Sequence, residues 1–336
     1  MSVYIFLREP TAVSKKFENA IIDVFEAFDV NKFKVNYPDH RIFVCGGPIN
    51  VKKIVPLSFR QRLIEKLASD YPELENEVVL AETFKDYFRE HAYSDLLIFE
   101  DDIAQLASVV VIFLESPGSL VELGMFCTKP NFYKKLLIVA PREETEREDS
   151  FIYLGPLDHI RSKEPSSVAI YPWPDAQVSD YPKIHMQDLC GTLLEKRNTI
   201  PKHPAFNKKN SGHIALLLLE IIRLSYPILL TEIELALASL GLDEERSKVT
   251  RLLYLLNRLE YLDTYEYGGG YKFYYPFDRT SPRIKFGTNK HSATFDEKKL
   301  VMNLKMSYVR DNDDGASRKR IAAATEIQKK LKGGEK

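Results

Sequence analysis

Cysteine and tryptophan are scarce in this chain: its 336 residues include 3 Cys and 1 Trp. Cys45, Cys127 and Cys190 are odd in number and follow no spacing pattern. That argues against a disulfide frame and for a reducing compartment. No Cys/His spacing matches a zinc site, so no metal is expected. A dominant charge sign is also missing. Lys+Arg total 47 against 48 Asp+Glu, a formal net charge of −1, so no global field selects nucleic acid or a membrane surface. The apolar runs are too short to span a bilayer. The N-terminus lacks the basic start and small-residue cleavage site of a signal peptide. A soluble, cytoplasmic protein with no membrane partner is expected. Neither Gly-x-x-x-x-Gly-Lys nor Gly-x-Gly-x-x-Gly occurs, which excludes a P-loop NTPase and an ordinary dinucleotide fold.

What is present is a chain long enough for two domains and a tail, with 44% apolar residues to fill their cores. Its most informative stretch is Glu115-Ser116-Pro117-Gly118-Ser119-Leu120-Val121-Glu122-Leu123-Gly124. It follows Val109–Leu114, an unbroken apolar run that reads as a buried parallel strand. Pro117 and Gly118 end that strand. Ser119 reads as an N-cap, with Glu122 as the acid of a capping box three residues on. Two roles compete for Glu122. In one it merely caps the helix. In the other it is a carboxylate at the carboxyl end of a strand, where open α/β sheets place their ligands.

Strand and helix signals alternate around this stretch. Arg41–Val44 breaks into Cys45-Gly46-Gly47-Pro48, and Leu57–Ser69 reads as a helix. Val78–Ala81 is a strand that ends at Glu82, and Asp95–Ala107 is a helix. Lys135–Ala140 is a strand stopped by Pro141, and Val168–Ile170 is one more. This order predicts an α/β fold with a Rossmann-like parallel sheet. Prolines at 174, 182, 201 and 204 mark a linker with a helix near Met186–Glu195.

From Gly212 the pattern changes. His213–Leu224 is a strongly apolar helix. Thr231-Glu232-Ile233-Glu234 reads as a second capping box, opening a helix to about Ser239. Asp243 caps a third helix, and Gly268-Gly269-Gly270 turns a hairpin within Tyr261–Tyr275. Three helices and a hairpin predict a winged helix-turn-helix. Its third helix carries Arg246, Lys248, Arg251 and Arg258, but also Glu244 and Glu245. The expected domains are residues 1–40, a helical extension packed on the α/β domain; 41–175, catalytic; 176–210, linker; 211–280, winged helix; and 281–336, a basic tail. Residues 298–336 hold eleven Lys/Arg against five Asp/Glu. They read as a mixed helical or disordered tail; such a tail is usually just solvated, and phosphate contact is the other reading.

Aligned at one end of a parallel sheet, Cys45-Gly46-Gly47, Glu82 and Glu115–Glu122 assemble into one expected pocket. Gly46 and Gly47 let a ligand approach the backbone. Ser116, Gly118 and Ser119 offer hydroxyl and N–H donors to sugar or phosphate oxygens. Several carboxylates in one cleft suit glycosyl chemistry, whose oxocarbenium-like transition state needs nearby negative charge. Glu115 has a structural alternative, accepting N–H bonds within the turn. Tyr153 is either a base-stacking ring or a packed aromatic.

Phe43–Gly47, Glu115–Gly124 and Ser150-Phe151-Ile152-x-x-Gly155-Pro156, in that order, resemble the nucleoside 2-deoxyribosyltransferase-like effectors encoded beside type II-A retron reverse transcriptases. The resemblance covers roughly residues 41–170, and a winged helix after it fits that architecture. It implies a base-exchange or hydrolase site on a C–N glycosidic bond. Glu122 is then the nucleophile or oxocarbenium stabiliser, Glu100 a supporting acid, and Glu82 a group that positions ribose hydroxyls. Pro117-Gly118-Ser119 stands where deoxyribosyltransferases carry an Asp-x-Gly-Thr type of turn, so deoxyribose specificity does not carry over. The resemblance further implies hydrolysis of NAD or a related nucleotide, with no cofactor beyond that substrate, as an anti-phage toxin. The reverse transcriptase and its branched RNA–DNA product would hold it inactive, with a homo-oligomer or filament as its assembly. Two non-catalytic readings stand against this: a nucleotide-sensing winged-helix regulator that binds DNA, and an inert scaffold that caps a reverse transcriptase.

Overall fold

The computed structural model describes residues 15–333 except 38, 51, 85–91, 146–149, 176, 269, 291–293 and 311–313. The helix expected from Thr11 therefore begins outside the described residues, and Gly269 of the expected hairpin also lies outside them. The chain forms two compact units, residues 37–202 and residues 1–36 with 203–336. The first described helix, α1 (Lys15–Glu26), belongs to the second of these.

In residues 37–202 a five-stranded sheet is built from β1 (Ile42–Cys45), β2 (Val78–Val79), β3 (Val109–Phe113), β4 (Leu136–Pro141) and β5 (Val168–Tyr171). All neighbours are parallel, in the order β2-β1-β3-β4-β5. Every residue of β1 and β3 is buried, as continuous apolar runs require when both faces of a sheet are covered. The order reverses direction between β1 and β3, which makes their carboxyl ends the topological switch point.

Four long helices flank the sheet: α2 (Phe59–Asp70), α3 (Leu96–Leu106), α4 (Pro117–Cys127) and α5 (Lys183–Thr199). Ile42, Val44, Val109, Val111 and Phe113 pack with Phe59 and Leu63 of α2 and Leu189 and Leu193 of α5. Each such buried side chain contributes roughly 1.5–3 kcal/mol. The period-2 pleat turns Phe43, Cys45, Val110 and Ile112 to the opposite face. There Cys45 meets α3 and α4. Ser58 caps α2 by accepting from Gln61 N (3.0 Å). Asp95 caps α3 by accepting from Leu97 N (2.8 Å).

The second unit centres on α6 (Ser211–Ser225), buried along its whole length. A helix apolar all round is a core helix. Around it stand α7 (Leu230–Ser239) and α8 (Arg246–Arg258), with an antiparallel sheet of β6 (Ile228–Leu229), β7 (Leu262–Tyr267) and β8 (Tyr271–Pro276) in the order β6-β8-β7. Helix α7 is capped through Glu232, which accepts from Leu229 N (2.8 Å), rather than through Thr231 and Glu234. Helix α8 starts at Arg246, after an N-cap at Glu245 rather than Asp243.

The tail contains two helices, α9 (Glu297–Val309) and α10 (Gly315–Gly333), with Leu304, Tyr308, Arg320 and Ile327 buried. The expected packing of the N-terminal helix on the α/β unit is corrected here. Helix α1 packs on α7 and α9 instead of the α/β unit, with Phe17 edge-on to Tyr308 at 5.6 Å. Among the described residues no helix is long and apolar enough to cross a membrane.

Candidate active site

Helix α4 begins one turn earlier than its sequence suggests, and this decides what Glu122 is free to do. Its N-cap is Ser116, with Pro117 in the first turn. Ser116 Oγ accepts from Ser119 N, and Ser119 Oγ accepts from Ser116 N, both at 3.1 Å. The capping box is therefore Ser116/Ser119, and Glu122 lies a turn beyond it. The capping role is excluded for Glu122. Ser119 is 1% exposed and its hydroxyl also donates to Ser116 O (2.8 Å), so it does not face a ligand. Gly118 is exposed in the first turn of α4.

Glu122 points to the end of β1. Its carboxylate accepts from the Cys45 thiol, and its Oε2 is buried without a hydrogen-bond partner. Glu100 of α3 converges on the same place. It is 8% exposed, and its Oε2 is likewise buried and unpartnered. Cys45 Sγ and one oxygen of each glutamate lie within 4.8 Å of one another. Among the described residues these three form the one such group close enough to share a cation.

Arg60, near the start of α2, is the cation of this region. It is 4% exposed, donates to Val44 O (3.2 Å) and is ion-paired with Glu82. Sequence reasoning did not single it out. A signal existed: an arginine in the first turn runs against the helix dipole, so a burial partner was to be sought.

The electrostatics follow from three acids, Glu82, Glu100 and Glu122, of which Glu82 and Glu122 interact with the Arg60 guanidinium. Burial, then the charges of Glu122 and Glu82, push Glu100 up to about 8. Burial raises Glu122 as well, opposed by the Cys45 hydrogen bond and by Arg60. Burial raises the Cys45 thiol further still, and the two glutamates add to it. Near neutral pH Glu100 is thus held protonated, while the Cys45 hydrogen bond and Arg60 favour the anion of Glu122 against its burial. Two carboxyl groups driven apart in this way can serve as acid and anion in one site.

The single pocket expected from the sequence is divided in the structure. Glu115 faces α2, away from this cluster. Its carboxylate accepts from Gly47 N (2.9 Å), Phe59 N (2.7 Å) and Arg60 N (3.0 Å). It ties β1, α2 and β3 together, the structural alternative rather than the ligand-binding one. The glycine bend is filled by protein. A Cβ on Gly46 would stand 2.8 Å from Phe113 Cβ, and one on Gly47 2.8 Å from Ser58 Cβ. That close packing is enough to require glycine at both positions. Ser116 Oγ donates to Gly46 O (3.3 Å) and closes the same bend. Tyr153 lies elsewhere, in a cavity of about 630 Å³ whose lining does not include Glu122. The structure thus brings Cys45, Glu82 and Glu122 to Arg60, with Glu100 meeting Glu122 and Cys45; Glu115 holds the backbone of the same arginine from the α2 side, and Tyr153 lies apart.

Comparison with known proteins bears on what such a cluster does. The family model of the STM3845 retron effector protein matches residues 56–264, more than half of the chain. This chain belongs to the STM3845 retron effector family. The match includes Arg60, Glu82, Glu100 and Glu122 and continues through α8. In Escherichia coli, the “Retron Ec86 putative ribosyltransferase/DNA-binding protein” is 32% identical over 133 residues, 38% of this chain and 39% of that protein. The Ec73 protein of the same description is 32% identical over 153 residues, 43% of this chain and 46% of that protein. The chain thus aligns with less than half the length of these curated relatives. Membership makes this chain a retron-associated effector, and the relatives' names point to glycosyl-transfer chemistry.

Proposed function

We propose that this effector is a toxin that cleaves the N-glycosidic bond of NAD or a related nucleotide. The observation that carries the reading is the pair of unpartnered, buried carboxylate oxygens on Glu122 and Glu100. A site that holds excess negative charge out of water is complementary to a cationic sugar. Glu122 attacks C1′, or faces it as an anion, while the C–N bond breaks and its electron pair leaves with the base. Nicotinamide carries its positive charge before cleavage, so it departs without a strong acid. Water then takes C1′ and gives up a proton. The carboxylate atoms lie within 4.8 Å of each other, closer than a pair that must hold a water between them. That favours a direct role for Glu122. Glu100, kept protonated, donates a hydrogen bond or a proton, and Arg60 holds Glu82 in place to position the ribose hydroxyls.

The rest of the molecule fits the same reading. The β2-β1-β3-β4-β5 sheet is proposed as Rossmann-like and deoxyribosyltransferase-like, and α6–α8 with β6–β8 as a winged helix. The winged helix engages the reverse transcriptase and its RNA–DNA product, which hold the toxin inactive in the cytoplasm, in an oligomer or filament. Contact by α8 with nucleic acid alone is the weaker reading. Lys248 pairs with Glu244 (2.6 Å) and Arg246 with Glu234 (3.0 Å), so half of the helix's basic side chains are already neutralised. The DNA-binding regulator nevertheless has one argument, the description of the relatives.

Expression of the chain without its partners is expected to deplete NAD and stop growth. Glu122→Gln is expected to lower the cleavage rate by at least about 10³-fold and restore growth. Intact NAD and nucleotide pools in cells expressing the wild-type chain would overturn the reading.

A further inference from the structure

A cavity of about 630 Å³ in the α/β unit is lined without Cys45, Glu82, Glu100 or Glu122. It opens at the carboxyl ends of β3, β4 and β5, between Leu114, Leu120, Ile152, Tyr153 and Trp173. Leu120 and Glu122 are two residues apart on α4, which places them about 200° apart around the helix. The cavity and Glu122 therefore lie on opposite sides of α4. Its size is that of a small-molecule site, and its walls are mostly apolar and aromatic. The Trp173 indole is fixed by an edge-on contact with Phe59, 5.2 Å between centroids at 90°.

Charge narrows the ligand class. Among the described lining residues the ionisable side chains are Glu115, Glu143 and Tyr153, with no Lys or Arg. Glu115 is already engaged by three backbone N–H groups. Among the described lining residues a phosphate would meet two carboxylates and no Lys or Arg. An uncharged or cationic ring would meet an indole, a phenol and an acceptor at Glu143.

We propose that this cavity is a second binding site, separate from the Glu122 cluster, for an uncharged or cationic planar heteroaromatic ring of the nucleobase class. Trp173 is the 1 Trp of the sequence, so its fluorescence reports occupancy directly. The full-length protein is titrated with adenine, nicotinamide and AMP, exciting at the red edge of absorption where tyrosine is silent. Saturable quenching by adenine or nicotinamide is expected, with AMP weaker by about fivefold or more. Glu122→Gln should leave these curves unchanged. Leu120→Asp, at a side chain 41% exposed, should weaken the binding by about tenfold or more, and half-buried Tyr153→Ala gives an independent reading of the same wall. Quenching that stays linear, AMP binding as tightly as adenine, or loss of binding in Glu122→Gln would each overturn the proposal. None of those results bears on whether Glu122 cleaves a nucleotide.

Discussion

Both units bury glutamates, and they treat them in opposite ways. In the second unit Glu232 is 0% exposed and ion-paired with Arg320, whose guanidinium also donates to Pro227 O and lies 3.7 Å from the Phe17 ring centroid. Glu220 likewise meets Arg223 (2.7 Å) and accepts from Arg283 N (2.7 Å). In the α/β unit Glu100 and Glu122 meet each other and a thiol, and the Arg60 guanidinium that acts on Glu122 is already ion-paired with Glu82. Paired buried charges hold a fold together, because removing one partner strands the other. Unpaired ones oppose folding and persist where a ligand or a reaction uses them.

The largest effect should come from breaking a pair. Arg320→Ala leaves Glu232 charged and buried, and urea unfolding should show a loss of about 3–5 kcal/mol. Changing both residues to Met should recover most of it, and a double variant as unstable as the single would show that the pair is not the reason. The opposite sign is expected in the α/β unit. Glu100 titrates at about 8 in the folded protein against 4.5 unfolded, so the folded state binds the extra proton between those values. Its contribution to stability is present below about pH 4.5 and is lost as pH rises through 8. Relative to wild type, Glu100→Gln should therefore gain on the order of 5 kcal/mol between acid and alkaline pH, at about 1.4 kcal/mol per pKa unit. If cleavage needs Glu100 protonated, the same variant also loses the alkaline limb of the rate profile. An unchanged pH dependence of stability would sink the assignment. Glu115 provides the smallest effect. Its removal strands three backbone N–H groups, and Glu115→Ala should cost about 2 kcal/mol in unfolding while leaving the carboxylate cluster, and hence cleavage per folded molecule, near wild type.

How much of this was legible depended on range. The strands of the sheet were readable because unbroken apolar runs stop at Gly-Gly-Pro, Ser-Pro-Gly or Pro. Glu122 and Glu100 were reached through motif resemblance, and the structure brings both to Cys45. The cap was misplaced because Ser116 and Ser119 are equally good caps, and only the backbone shows that they cap each other. The division of the pocket was hidden for a related reason. Glu115 and Glu122 are close in sequence, but one faces α2 and the other faces α3 across the end of the sheet. Arg60 carried no motif. Helix was one reading of α9 and α10, but their packing was hidden because their buried residues are few and one of them is an arginine. The placement of α1 is a contact between distant segments, which local periodicity does not encode.

That last contact bears on how the protein is made. Phe17, Ile21 and Phe25 are fully covered in the finished molecule, by α7 and by α9 near the far end of the chain. On the ribosome, at roughly 5–20 residues per second, α1 waits tens of seconds for those partners with its greasy side bare. The intervening α/β unit has all its strands and can close first. Val35 N bonds to Pro204 O (2.9 Å) and Phe206 N to Phe33 O (3.0 Å), so segments that flank the α/β unit in sequence are joined within the second unit. Completion of that unit thus waits on residues made after the half that carries Glu122.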